Sequence, residues 1–272
     1  AAPAGPFLWG ADYEVGGDRH LLRRLAELPK PAAAQTALAA LTEASNASWA
    51  KYDETGSPQH IFSFAGDPER VRAVSAAWPD RDAEADWILD TLEQTLAINQ
   101  LWVSGQAWLS NERRAAFLRA NFLRHWRQAK QAGQAPRGML KFGGSHLVRG
   151  RTMTDVFDIG ALLPELAALE GRPSFNLLVL PGLESQIARF NPSNWSYQPA
   201  PAKDGYAKDL EPLTAAAHAD AYTLIDLRPL RPIVGMRAAS EDLRRIVLGF
   251  DALLVMSGST ASANLRTSTD AQ

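Results

Sequence analysis

Gly138-Met139-Leu140-Lys141-Phe142-Gly143-Gly144-Ser145-His146 is where the pattern of this chain changes. Helical spacing dominates before it, whereas after Gly133 and Pro136 short apolar runs alternate with helical ones. Gly138 to Phe142, Ser174 to Leu180, Tyr222 to Leu227 and Ala252 to Met256 read as strands. Between the first two, the spacing predicts a helix from about Phe157 to Leu169, stopped by Gly171 and Pro173. Strands that alternate with helices predict an α/β fold, with a mainly parallel sheet and flanking helices.

Working upstream, Asp67 reads as an N-cap, with Pro68 at the first helical position and Glu69 in the first turn. Val71, Val74 and Trp78 form its apolar stripe, and Pro79 ends it. Trp87, Ile88, Leu92, Thr95, Leu96 and Asn99 share the next helical face, and Ser110 is expected to cap a third helix reaching Gln131. These helices make a large helical insertion at about 65–135 within a single α/β domain over 1–272. Earlier still, Phe7-Leu8-Trp9-Gly10-Ala11 reads as a buried strand that leads into the acidic, glycine-containing loop Asp12 to Asp18. A helix carrying Leu21, Leu22 and Leu25 follows until Pro29, and an Ala-rich one runs from Ala32 to about Ser45. Phe190 to Ala207 has no periodicity and is expected to be a long surface loop or lid.

With 272 residues, 46% of them hydrophobic, the chain can fill a core, which excludes disorder. No run approaches the roughly 18–20 apolar residues of a membrane helix, so no membrane partner is expected. Lys and Arg number 28 against 30 Asp and Glu, leaving a net charge of -2 and no global field for nucleic acid. Zero cysteines remove disulfides, thiolate nucleophiles and Cys-ligated metals. The chain opens Ala1-Ala2-Pro3-Ala4-Gly5, as expected of a processed or truncated start, and the compartment is open between cytoplasm and export after signal removal. Oligomeric state is open too.

In open parallel sheets, ligands sit beyond the carboxyl ends of strands, which selects Asp12 and Glu14 after the first strand and Gly143 to His146 after the second. Two glycines permit unusual backbone angles and close approach, bringing the His146 imidazole to a cleft mouth. His146 is then the general acid or base, with Asp12 or Glu14 to orient it, and Arg149 and Arg151 just beyond. The alternative is a glycine turn carrying a hydrated histidine. Arg114, Leu118, Asn121 and His125 are spaced four, three and four, on one helix face. They read either as groups that reach a shared anion or bond a facing loop, or as a salt-bridged packing seam. Trp195, beside Tyr197 and Tyr206, is expected over a pocket.

Five histidines without HExxH or HxH spacing give no metal motif, so no cofactor is expected and a metal site remains one that only three-dimensional assembly creates. No Walker loop, GxGxxG or nucleophile elbow appears.

The ordered motifs resemble the erythromycin esterase family. Trp9-Gly10-Ala11-Asp12-Tyr13-Glu14 is similar to its Trp-Gly-x-Asp element, and Arg114, Leu118 and Asn121 to its Arg-x-x-x-Met-x-x-Asn helix. Lys141 to His146 resembles the strand and loop that deliver its distal histidine, Gly160 and Gly171 bracket a helix as in the family, and Phe250 to Leu254 resembles its closing strand. The resemblance implies a hydrolase that opens an ester or lactone of a small molecule by histidine and carboxylate activation of water. His146, Glu14 and Asp12 would be catalytic, with Arg114, Asn121, Lys141, Ser145, Arg149 and Trp195 on the substrate. Three departures stand out: the family's upstream Gly-Glu-x-x-His segment is absent, Leu118 replaces its Met, and Ala115 stands where the family often has an acidic residue. These keep a second expectation open, a truncated or non-catalytic module that binds a small molecule, haem or metal in the same cleft.

Overall fold

A computed structural model describes residues 8–134, 137–191, 196–205, 210–236 and 239–262. It divides into two compact units, one ending at Gly138 and the other beginning at Met139.

The first unit is helical: α1 (Asp18–Glu27), α2 (Ala32–Thr55), α3 (Phe62–Ala65), α4 (Pro68–Ala77), α5 (Ala83–Val103) and α6 (Ala107–Gln131). Caps set where helices begin. Asp67 accepts from the Glu69 N–H at 2.9 Å ahead of Pro68, and Asp82 accepts from the Ala85 N–H at 2.8 Å to start α5. Leu22, Leu41, Phe62, Val71, Val74, Trp78, Leu92 and Leu96 close the core between α1 and α5. Each such side chain contributes roughly 1.5–3 kcal/mol by leaving water. Ser110 does not cap α6, which starts one turn earlier; it is buried and donates to the Ile98 carbonyl at 2.8 Å, tying α6 to α5.

Residues 8–11 form no strand. The buried reading of Trp9 rested on its apolar neighbours, but its partners are aromatic side chains of α6 rather than a sheet.

The second unit holds α7 (Ile159–Leu169), β1 (Leu177–Pro181), β2 (Gln186–Asn191), β3 (Ser196–Pro201), α8 (Glu211–Thr214), β4 (Tyr222–Asp226), α9 (Arg231–Met236), α10 (Glu241–Gly249) and β5 (Ala252–Met256). Gly171 stops α7 with a φ of 64°, as the sequence predicts. The sheet order is β1-β5-β4. β1 runs parallel to β5, with Leu178 beside Leu253, and β4 runs antiparallel to it, with Ile225 on Leu253's other side. Those three side chains face the core with Leu180, Val255, Val247 and Phe250.

The expected mainly parallel sheet is therefore a mixed three-stranded one among the described residues. The connection through α9 and α10 leaves and re-enters at the same end of the sheet, where the Leu227 N–H donates to the Asp251 carbonyl at 2.9 Å. A strand–helix–strand pattern reads as a crossover, yet helices in a hairpin connection give the same spacing. Gly138 to Phe142 is not a strand either; it is coil that leads into a 3-10 turn over Gly144–Leu147. The expected lid at 190–207 is, where described, the antiparallel β2–β3 ribbon, with Phe190 packed on Tyr197 at 5.2 Å.

Candidate functional site

In the first unit the segment Trp9 to Gly17 is held by α6. Arg114 forks onto Asp12, Nε to Oδ1 at 3.0 Å and Nη2 to Oδ2 at 2.5 Å, while its guanidinium lies 4.8 Å from the Tyr13 ring centroid. Two and three turns on, Asn121 donates to the Gly10 and Ala11 carbonyls, both at 3.1 Å, and His125 stacks on Trp9 at 5.5 Å. Leu118, between Arg114 and Asn121, is fully buried. Of the two readings of this face, the structure gives bonds to a facing loop that is also a salt-bridged packing seam. Burial pushes the Tyr13 hydroxyl above its ordinary range, against the pull of Arg114.

Glu14 closes that segment onto α1 by accepting from the Gly17 N–H. Its Oε1 is buried without a hydrogen-bond partner among the described residues. Burial is the main cause that pushes its carboxyl up to about 7, with the nearby Asp18 charge adding to it against three backbone N–H groups. Glu14 thus exchanges a proton near neutrality. Asp18 is fully buried and accepts from Ser45 at 2.5 Å and from the Trp49 indole, which anchors α1 to α2.

In the second unit, His146 sits on the turn Gly144–Leu147. Its Nδ1 is 2.7 Å from Asp158 Oδ2, and the other Asp158 oxygen accepts from the Ile159 N–H at 2.6 Å as the N-cap of α7. The Asp158 side chain is 5% exposed and the imidazole 18%, so the carboxylate is sealed in while the ring keeps an open edge. Because a carboxylate oxygen accepts, a neutral imidazole in this bond has its proton on Nδ1 and its lone pair on Nε2.

The turn itself is fixed from two sides. Asn176 donates to the Leu147 carbonyl at 2.7 Å, and a Cβ at Gly160 would lie 2.2 Å from the Leu147 carbonyl carbon. Neither Gly143 nor Gly144 has a positive φ. What Gly144 supplies is close approach, since a Cβ there would lie 2.8 Å from Leu178 Cδ1.

The remaining expected residues divide. Ser145 is half-buried beside His146, and Lys141 is exposed. Arg149 is committed to Asp251, with Nη1 to Oδ1 at 2.6 Å and Nη2 to Oδ2, and Asp251 also takes Arg231 at 2.9 Å and the Asn176 N–H at 2.8 Å. Burial would raise the Asp251 carboxyl, but these donors together hold it below the usual carboxylate range. Arg151 pairs with Asp155 at 3.2 Å on the surface. Trp195 and Tyr206 lie outside the described residues. Among the described residues, no cluster of three or more His, Asp or Glu is placed to hold a metal ion, and no helix is long and apolar enough to cross a membrane.

Asp158 is the functional candidate that the sequence reading missed. It fell inside the predicted helix, and only its position just before Ile159-Gly160 marks it as a cap. Asn176 gave no signal, because its contact is made across 29 residues of chain.

No family model and no curated protein matches the chain. Among solved structures it is similar to a mutant of the erythromycin esterase EreC in its open conformation, with a TM-score of 0.57 at 16% identity. The alignment covers 94% of this chain and 70% of that one. At that identity the likeness is one of architecture. The chain has an erythromycin esterase-like fold.

Proposed function

We propose that this chain is an esterase-like hydrolase in which His146 activates water. The observation that carries it is the His146–Asp158 pair: a buried carboxylate fixes the imidazole through Nδ1 and leaves Nε2 as the base. Nε2 takes a proton from water, the hydroxide oxygen bonds to the ester carbonyl carbon, and the carbonyl π pair moves to oxygen. On collapse the C–O bond to the alcohol breaks, and the leaving alkoxide takes the proton from the imidazolium, which returns Nε2 to its starting state. The products are a carboxylic acid and an alcohol, with one water consumed.

Glu14 and Asp12 belong to the first unit and are proposed there as acid-base groups in their own right. A carboxyl that titrates near 7 is matched to donating at neutral pH, and Arg114 and Asn121 hold the segment that carries it. Ser145 and Lys141 are proposed substrate contacts beside His146, and Trp195 a further one. Arg149 is a positioning residue in this mechanism, because its guanidinium is spent on Asp251. The fold likeness to an erythromycin esterase supports ester or lactone chemistry and leaves the substrate unnamed.

The test is hydrolysis of aryl esters, lactones and macrolides by the chain and its His146→Ala variant, followed by mass spectrometry. Products that vanish with the imidazole support the proposal. Turnover that is unchanged in the variant, or absent from both folded proteins across the panel, overturns it.

A further inference from the structure

Beside the His146 turn, the second unit has a partly open cavity of about 180 Å³. Leu178 and Leu180 of β1 form one wall, and Leu210 and Ile246 contribute others. Gly144 and Ser145, the two residues immediately before His146, line it as well. Gly144 belongs there because a side chain would occupy the space that Leu178 takes. Met153 lines it as well and is 40% exposed.

Size and charge define the occupant. A dry apolar cavity of about 150 Å³ holds benzene, so this one takes a group of about six carbons. The polar side of the lining is Arg245 with Asp242, and Arg245 is bonded to Asp242 at 2.7 Å and to Glu241 at 2.6 Å. One cation shared by two carboxylates offers no net attraction to an anion. A neutral aliphatic group is therefore matched, and a free carboxylate is not.

We infer that this cavity is a selectivity pocket for a neutral, medium-length aliphatic arm of the substrate, seated beside the turn that carries the histidine proposed to activate water. Its role in turnover rests on the hydrolase proposal, but its occupancy by an apolar ligand does not. A whole macrolactone exceeds the volume, so only an arm of such a molecule enters.

Binding is read without turnover. The chain has four methionines, so [13C-methyl]Met labelling of the full chain gives a sparse spectrum, in which Met153→Leu assigns the reporter and the 96% exposed Met139 is the control. Hexanamide is expected to shift the Met153 methyl saturably at millimolar concentration and to leave Met139 unmoved. Acetamide and hexanoate are expected to bind at least tenfold more weakly. Leu210→Phe fills the cavity and abolishes the shift; Met153→Trp, at a partly exposed position that spares the core, is read through backbone amide shifts and weakens hexanamide tenfold. No saturable Met153 shift, or hexanoate binding as tightly as hexanamide, overturns the inference.

A parallel assay compares 4-nitrophenyl hexanoate with the acetate. Hexanamide binding without hydrolysis of either ester leaves the pocket standing and removes the hydrolase proposal. Hydrolysis with no preference for the longer acyl group, and no Met153 shift, does the reverse.

Discussion

Asp158 holds the His146 imidazole at 2.7 Å with one carboxylate oxygen and caps α7 with the other, at 2.6 Å from the Ile159 N–H. One buried side chain therefore sets both the start of a helix and the tautomer of the proposed base. The dyad is as rigid as the packing of α7 on the turn that carries His146.

Gly160 is the point of closest approach in that packing. A Cβ placed 2.2 Å from the Leu147 carbonyl carbon forces backbone to move, and overpacking of this kind costs about 1–3 kcal/mol. Gly160→Ala should lower the melting temperature by several degrees. It should also reduce kcat more than it raises KM, because the displaced turn carries His146; steady-state kinetics beside calorimetry checks both.

Glu14 makes stability depend on pH in an unusual direction for a carboxylate. Its folded value, raised from 4.5 to about 7, means that the folded chain binds the proton more tightly than the unfolded one. The contribution is fully present below about 4.5 and is lost as pH rises through about 7. One pK unit is worth about 1.4 kcal/mol, so the loss is at most about 3 kcal/mol and is reduced by the partial exposure of the group. Glu14→Gln should flatten the urea-unfolding free energy between pH 5 and 8 relative to the parent chain, and an unchanged slope would count against the proton assignment.

Asp251 behaves in the opposite sense. Its carboxyl is held low by Arg149, Asn176 and Arg231 in spite of burial, so its stabilisation is present above the ordinary carboxylate range and is lost as acid protonates it. Asp251→Ala leaves two guanidinium groups uncompensated beside a 5% exposed position, and such breaks typically cost about 3–5 kcal/mol. Urea titration should place it far below Arg151→Ala, whose surface pair contributes at most about 1 kcal/mol.

Arg114→Lys keeps the charge and discards the fork onto Asp12. The expected loss of global stability is small, about 1 kcal/mol given the partial exposure of both partners. The segment from Trp9 to Gly17 should nevertheless be cleaved faster in limited proteolysis, and ester turnover should fall with it.

What the sequence carried and what it did not follow from the range of the forces involved. Asp67 with Pro68, Gly171 as a stop, and β5 as an apolar run are local signals, and each appears where the spacing puts it. The α6 face was legible as a periodicity, and its bonds to Gly10, Ala11 and Asp12 explain why Arg and Asn interrupt an apolar stripe. Sheet direction was not legible, because the connection between β4 and β5 closes at one end of the sheet through a contact 24 residues apart, Leu227 to Asp251. The partner of His146 was expected among Asp12 and Glu14, and the side chain on its Nδ1 is Asp158, hidden in the sequence as one more helix cap. The Gly143-Gly144 pair was read for unusual backbone angles and close approach, and the structure shows the close approach, of Gly144 to Leu178, without a positive φ.

The central claim is that His146 and Asp158 act as one unit in ester hydrolysis, and a double-mutant cycle on kcat/KM tests it most directly. His146→Ala should abolish enzymatic turnover of any ester the chain accepts. Asp158→Asn, which preserves the capacity to cap α7 but cannot impose the same tautomer, should cost about 100-fold or more. Adding Asp158→Asn to His146→Ala should then cost almost nothing further. Independent, multiplying losses from the two substitutions, or a His146→Ala protein that turns over at the parental rate, would contradict it.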